Sequence, residues 1–256
     1  MIASLGMYDF GPLAAAKDRL WAGVRDGLRA QGIAAPEDLT RGAGAYGPAW
    51  DAPDLILSQT CGYPFRARLH GAVTYVGTPD YGVEGCLPGQ YRSVFIARAD
   101  DPRAGLVDFD GARLAYNEGL SQSGWAAPQT HAALLGLRLA PALQTGGHRL
   151  SALAVAEGRA DIASLDAVTF AHLQAFDPVA ARVKVVGLTD PTPGLPLITA
   201  KGRDPAPIFD AVSTAIAALD PQDRATLRLR GLVRIPVAVY LAVPNPASPD
   251  QIAAPG

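Results

Sequence analysis

The sequence predicts an α/β protein with mostly parallel sheets. Three observations carry this. Short apolar runs alternate with helix-competent segments along most of the chain, the pattern of strand–helix–strand units. The runs end in polar tips at Tyr8, Ser58 to Thr60, Asn117 to Ser123, Thr145 to His148 and Asp166. Open α/β sheets bind ligands at such carboxyl ends of strands. Two of the tips share one design, a hydroxyl- and glycine-rich turn that runs straight into a helix.

The elements follow in order. Ile2 to Tyr8 reads as a first strand. Pro12 to Ala30 reads as a helix, with Leu13, Leu20, Trp21, Val24 and Leu28 at helical spacing. Pro12 suits a first helical turn and Gly32 follows the end. Asp54 to Ser58 is a buried-type strand ending in Ser58-Gln59-Thr60, and Phe65 to His70 a short helix. Val73 to Thr78, Tyr91 to Arg98, Arg113 to Asn117 and Ala140 to Gln144 read as strands. Helices are expected from about Trp125 to Leu135 and from Leu150 to Gly158. Asp161 to Asp166 and Val183 to Leu188 are further strands. Asp190 to Gly194 is a breaker cluster. Leu195 to Thr199 reads as a returning strand, and Pro205 to Leu219 and Pro221 to Leu229 as closing helices. The tail from Val243 to Gly256 is rich in Pro, Ala and Ser and is expected to be loose.

Composition excludes several classes. The 256 residues are 49% apolar and 18% charged, enough for two modest domains with real cores. A net charge of -2 with no Lys/Arg run argues against a nucleic-acid surface. No apolar run reaches the length of a membrane span. The N-terminus shows no basic region, apolar region or cleavage site, so the reading is a mature chain or a cytosolic one. There is no phosphate loop, and no His/Cys cluster of metal-binding type. No cofactor is expected.

The chemistry sits in two turns. Tyr116-Asn117-Glu118-Gly119-Leu120-Ser121-Gln122-Ser123-Gly124-Trp125 is the first. Ser121 and Ser123 stand where a helix begins, where a hydroxyl caps an unsatisfied N–H. The same N–H groups and the helix dipole also make an anion site. Gln144-Thr145-Gly146-Gly147-His148-Arg149-Leu150-Ser151 is the second. Together they can converge on one small anion. The N–H groups of Ser123 and Gly124, with Thr145, Gly146 and His148, are the expected donors. Asp166 either caps the next helix or meets a ligand cation or hydroxyl. Ser121 or Ser123, His148 and Asp166 are also the residue types of a hydrolytic triad. The chain lacks a Gly-x-Ser-x-Gly elbow, and binding ranks above hydrolysis. Cys61 and Cys86 each lie beside turn residues. Two buried thiols and a disulfide both fit that setting.

These motifs resemble the periplasmic phosphate/phosphite/phosphonate-binding protein family, solute receptors of ABC importers. The resemblance rests on Ser58-Gln59-Thr60-Cys61-Gly62-Tyr63-Pro64, on Gly77-Thr78-Pro79 to Cys86 with Tyr91-Arg92-Ser93, and on Asn117 to Gly124. It continues through Thr145-Gly146-Gly147-His148, Ala154 to Asp161, Asp166 and Gly194-Leu195-Pro196. It spans Leu5 to about Leu232.

The resemblance implies a type II periplasmic-binding-protein fold: two α/β lobes, a two-strand hinge and a ligand cleft between the lobes. The expected segments are 1–97 and 193–242 for one lobe, 98–192 for the other, and 243–256 as a tail. The hinge is expected near Ile96 to Asp100 and Thr189 to Leu195. Ser121, Ser123 and His148 would contact the oxyanion, Tyr8 and Tyr91 would wall the cleft, and Asp166 would face the ligand's other end. Ser58, Gln59, Thr60, Asn117, Gln122, Gly124, Thr145 and Gly146 complete the expected ligand-binding set. Gln122 stands where phosphonate binders often carry a small hydroxyl residue, which leaves the choice of oxyanion open. The resemblance also implies export, and with it a Cys61–Cys86 disulfide. It implies a periplasmic, non-enzymatic monomer whose partner is an ABC permease. An enzyme of the same fold acting on a small carboxylate, or a cytosolic anion sensor, is the alternative.

Overall fold

The computed structural model describes residues 1–253. Its strands are β1 (Ile2–Ser4), β2 (Leu55–Gln59), β3 (Val73–Asp80), β4 (Gln90–Tyr91), β5 (Ser93–Arg98) and β6 (Arg113–Tyr116). They continue as β7 (Ala140–Gln144), β8 (Ile162–Asp166), β9 (Val183–Leu188), β10 (Thr192–Pro193), β11 (Leu197–Ala200) and β12 (Gly231–Val233). The chain divides into two compact units. One comprises 1–90 and 193–242, the other 91–192 and 243–256.

The first unit holds a five-stranded sheet in the order β1-β2-β11-β3-β12. β1 and β2 run parallel, while β11 is antiparallel to both β2 and β3. The helix Ala14–Ala30 buries Leu20, Trp21, Val24 and Leu28, the positions that helical spacing picks out. It packs on the helix Ala206–Ala218 through small residues. A Cβ at Gly23 would lie 3.2 Å from Ala215 Cβ, and one at Gly27 3.4 Å from Ala211 Cβ. Glycine at i and i+4 therefore lets the two helices approach.

The second unit holds a sheet in the order β7-β6-β8-β5-β9. β6 is parallel to β7 and β8, and β5 is antiparallel to β8 and β9. Both sheets are thus mixed, with fewer parallel pairs than simple strand–helix alternation implies. The parallel trio carries the two hydroxyl turns, because β6 and β7 each end in one.

Four expectations need correction. The expected boundary at 97/98 falls at 90/91, because β5 is a central strand of the second unit's sheet; Ile96 to Asp100 is therefore not a crossing point. The second crossing, between Thr192 and Pro193, falls within the expected stretch. The first strand stops at Ser4, and Gly6–Tyr8 forms a tight 3₁₀ turn. The tail is not loose across its described part. It joins the second unit and ends in the helix Pro249–Ala253. Its last three residues, 254–256, lie outside the described residues.

Candidate functional site

In the second unit the first turn begins the helix early. Residues Gln122–Ala126 form a π-helical turn, followed by the helix Ala127–Leu134. A single π turn inside a helix is frequent at functional sites. Ser121 is the cap: its Oγ accepts the Gly124 N–H at 3.0 Å. That bond uses the Gly124 N–H inside the chain, so it is not an outward donor. The Ser121 hydroxyl keeps its own proton to donate.

Ser123 reaches the second turn. Its Oγ lies 2.9 Å from His148 Nε2, which joins two turns 25 residues apart in sequence. Its carbonyl accepts from Ser164 Oγ at 2.7 Å. Ser164 is fully buried and was not anticipated, though a hydroxyl inside the apolar run of β8 is a readable signal. His148 is the first residue of the helix His148–Ala156, so that helix starts two residues earlier than expected.

Two polar atoms at this junction are buried and have no hydrogen-bond partner, Asn117 Oδ1 and His148 Nδ1. Such orphans are rare and call for an explanation. Asn117 Oδ1 sits against Gly124, where a Cβ would come within 1.9 Å of it and 3.3 Å of His148 Cε1. Burial pushes the His148 pKa down to about 4, although the residue keeps some exposed surface. The imidazole is therefore neutral at pH 7. When its Nε2 carries the proton it donates to Ser123, and the Ser123 hydroxyl is released toward a ligand. An anion beside the ring favours the charged form and raises its pKa.

The other expected residues have different tasks. Thr145 Oγ1 is 3.2 Å from Tyr116 O, 3.1 Å from Gly147 O and 2.7 Å from Ser151 Oγ. The Gly146 N–H donates to Asn117 O at 2.9 Å, and Gly146 has a φ of +82°. Thr145 and Gly146 thus tie the second turn to the first, and a left-handed glycine is needed there. Asp166 Oδ1 accepts from the N–H groups of Val168 and Thr169 at 2.7 and 3.0 Å, a helix cap. Gln122 and Tyr91 are buried.

Tyr8, Ser58, Gln59 and Thr60 belong to the first unit. Ser58 Oγ is 2.7 Å from Ser4 Oγ, which donates to Ala45 O at 2.9 Å. Gln59 Nε2 donates to Tyr81 OH at 3.1 Å, and Tyr81 meets the Tyr8 ring edge-on at 5.0 Å. The Thr60 N–H donates to Pro196 O at 3.0 Å. Nearby, Lys17 Nζ donates to Leu5 O and lies 3.9 Å from Asp9. Burial brings the Lys17 pKa down to about 7.

The disulfide is absent. Cys61 and Cys86 are both thiols, Cys61 buried and Cys86 half-buried. Cys61 precedes the turn Gly62–Pro64, whereas Cys86 closes a separate turn on Val83. Among the described residues no group of three His, Cys, Asp or Glu could hold a metal ion.

A family model described as ABC transporter, phosphonate, periplasmic substrate-binding protein matches residues 51–238. The chain belongs to this family. Phosphonate-type substrate-binding proteins are transport components, and the matched span includes both hydroxyl turns. No curated protein matches the sequence. Solved structures of similar fold include PhnD1 from Prochlorococcus marinus in complex with methylphosphonate, at 14% identity and a TM-score of 0.69. That match covers 93% of this chain and 94% of that one. A Xanthomonas citri protein bound to chloride ion matches at 18% identity and a TM-score of 0.66, over 94% and 95% of the two chains. MatC from Rhodopseudomonas palustris with bound malate matches at 18% and 0.62, over 95% of each. The fold is that of periplasmic binding proteins.

Proposed function

We propose that this chain captures a small oxyanion, of phosphonate, phosphite or phosphate type, and delivers it to the permease of an ABC importer. The observation that carries the reading is the Ser123–His148 contact. It brings two hydroxyl turns to one point, where buried polar atoms stand unpaired. Ser121 and Ser123 supply hydroxyl donors, and first-turn N–H groups lack intrahelical acceptors. His148, neutral at pH 7, adds a ring N–H donor. A site of neutral donors holds an anion without a full opposing charge, which suits reversible capture. Membership of a periplasmic substrate-binding family supports export and a binding rather than catalytic role.

A thermal-shift screen of methylphosphonate, phosphite, phosphate, sulfonates and carboxylates tests this, since a ligand of the native state raises its stability by mass action. Stabilisation by a phosphorus oxyanion is expected. Stabilisation by dicarboxylates alone would overturn the oxyanion assignment.

A further inference from the structure

Residues 244–253 touch the elements that carry both hydroxyl turns. Trp125, the residue after Gly124, is fully buried. Its indole N–H donates to Ala247 O at 3.1 Å, and a buried indole N–H needs such an acceptor. Its ring packs on Tyr116 with centroids 5.0 Å apart. Gly119 faces the next residues, since a Cβ there would lie 3.2 Å from Pro249 Cδ. The segment then ends in a helix with its own start signal. The Ser248 N–H donates to Gln251 Oε1 at 2.8 Å, and the Gln251 N–H to Ser248 Oγ at 3.2 Å. This reciprocal pair is a capping box. The helix Pro249–Ala253 packs on β7, and β7 runs directly into Thr145-Gly146-Gly147-His148.

We infer that the segment 244–253 is a positioning brace for the oxyanion site, an inference that rests on the function proposed for that site. Through Trp125 and Gly119 it fixes the π turn that carries Ser123. Through β7 it fixes the strand that carries His148. Each turn is short and glycine-containing, and beyond the bonds of Thr145 and Gly146 to the Tyr116 and Asn117 carbonyls, the Ser123–His148 contact is a single hydrogen bond. A third body gripping both sides holds that contact in register.

The test compares the full chain with one ending at Val243, and with Gly119→Val in the full chain. Valine at 119 pushes Pro249 away and leaves Trp125 and both serines in place. Two quantities are read: hydrogen exchange of the Gly124 and Gly146 amides without ligand, and calorimetric affinity for methylphosphonate. The brace predicts exchange faster by about tenfold or more in both variants, since these amides report local opening. It also predicts affinity weaker by about tenfold. Exchange and affinity unchanged in either folded variant would overturn it. If the shortened chain does not fold, Gly119→Val decides alone. If the full chain binds no methylphosphonate, the proposed function has failed there, and the exchange comparison still decides the brace.

Discussion

The strand-end tips of the two units carry similar residues and do different things. In the first unit, Ser58 and Gln59 end β2 and Thr60 follows it, and their hydrogen bonds go to Ser4, Tyr81 and Pro196 of the same unit. In the second unit, Asn117, Ser121 and Ser123 follow β6. There the bonding is unfinished, with Asn117 Oδ1 and His148 Nδ1 buried and unpaired. A satisfied tip stabilises the fold, whereas an unsatisfied one holds free energy that a ligand can recover. Both tips are small polar residues at or just past the carboxyl end of a strand; what separates them most is where the hydrogen bonds go.

The largest expected effect comes from Ser121→Ala/Ser123→Ala. Hydrogen bonds to a charged ligand contribute roughly 1.5–3 kcal/mol each, so the pair should cost on the order of 3 kcal/mol, about a hundredfold in affinity. Calorimetry of methylphosphonate reads this. Gly124→Ala should come next. Its Cβ evicts the Asn117 carboxamide, and overpacking of this kind costs about 1–3 kcal/mol of stability, with affinity falling alongside it. Chemical denaturation and calorimetry on one sample check both.

Ser58→Ala and Asp166→Ala are smaller and should act on stability alone, by about 1 kcal/mol each for a lost core hydrogen bond and a lost cap. A large affinity loss in Ser58→Ala would break the contrast between the units. The smallest effect is in pH dependence. Lys17 and His148 are both bases whose pKa burial lowers, from 10.5 to about 7 and from 6.5 to about 4. The unfolded chain binds each proton first, so stability falls as pH drops through 10.5 to 7 for Lys17 and through 6.5 to 4 for His148. Lys17→Met should flatten the first window and His148→Asn the second, measured as melting temperature against pH.

Much of this was legible in the chain itself. The spacing of Leu20, Trp21, Val24 and Leu28 gave the first helix, since apolar periodicity and burial have one cause. The two hydroxyl turns were legible because caps have a residue signature. The π turn was not, because Gln122 to Ala126 differs from an α-helical start only in hydrogen-bond register. The Asn117–Gly124 contact was hidden because it depends on a Cβ that glycine lacks. In the tail the Ser248–Gln251 capping box is legible, but the anchor is not, because it is the Ala247 carbonyl, which any residue offers. Cys61 and Cys86 share turn settings, but setting carries no distance, so it does not decide between two thiols and a disulfide.

The most direct test follows the imidazole of His148 by NMR, assigned through His148→Asn and titrated with pH with and without methylphosphonate. The imidazole of the free protein is expected to titrate near pH 4, and a ligand at the Ser123–His148 junction should change that. Saturation should raise that pKa and shift both ring nitrogens. Calorimetric binding that leaves the His148 resonances and pKa unchanged would contradict the site.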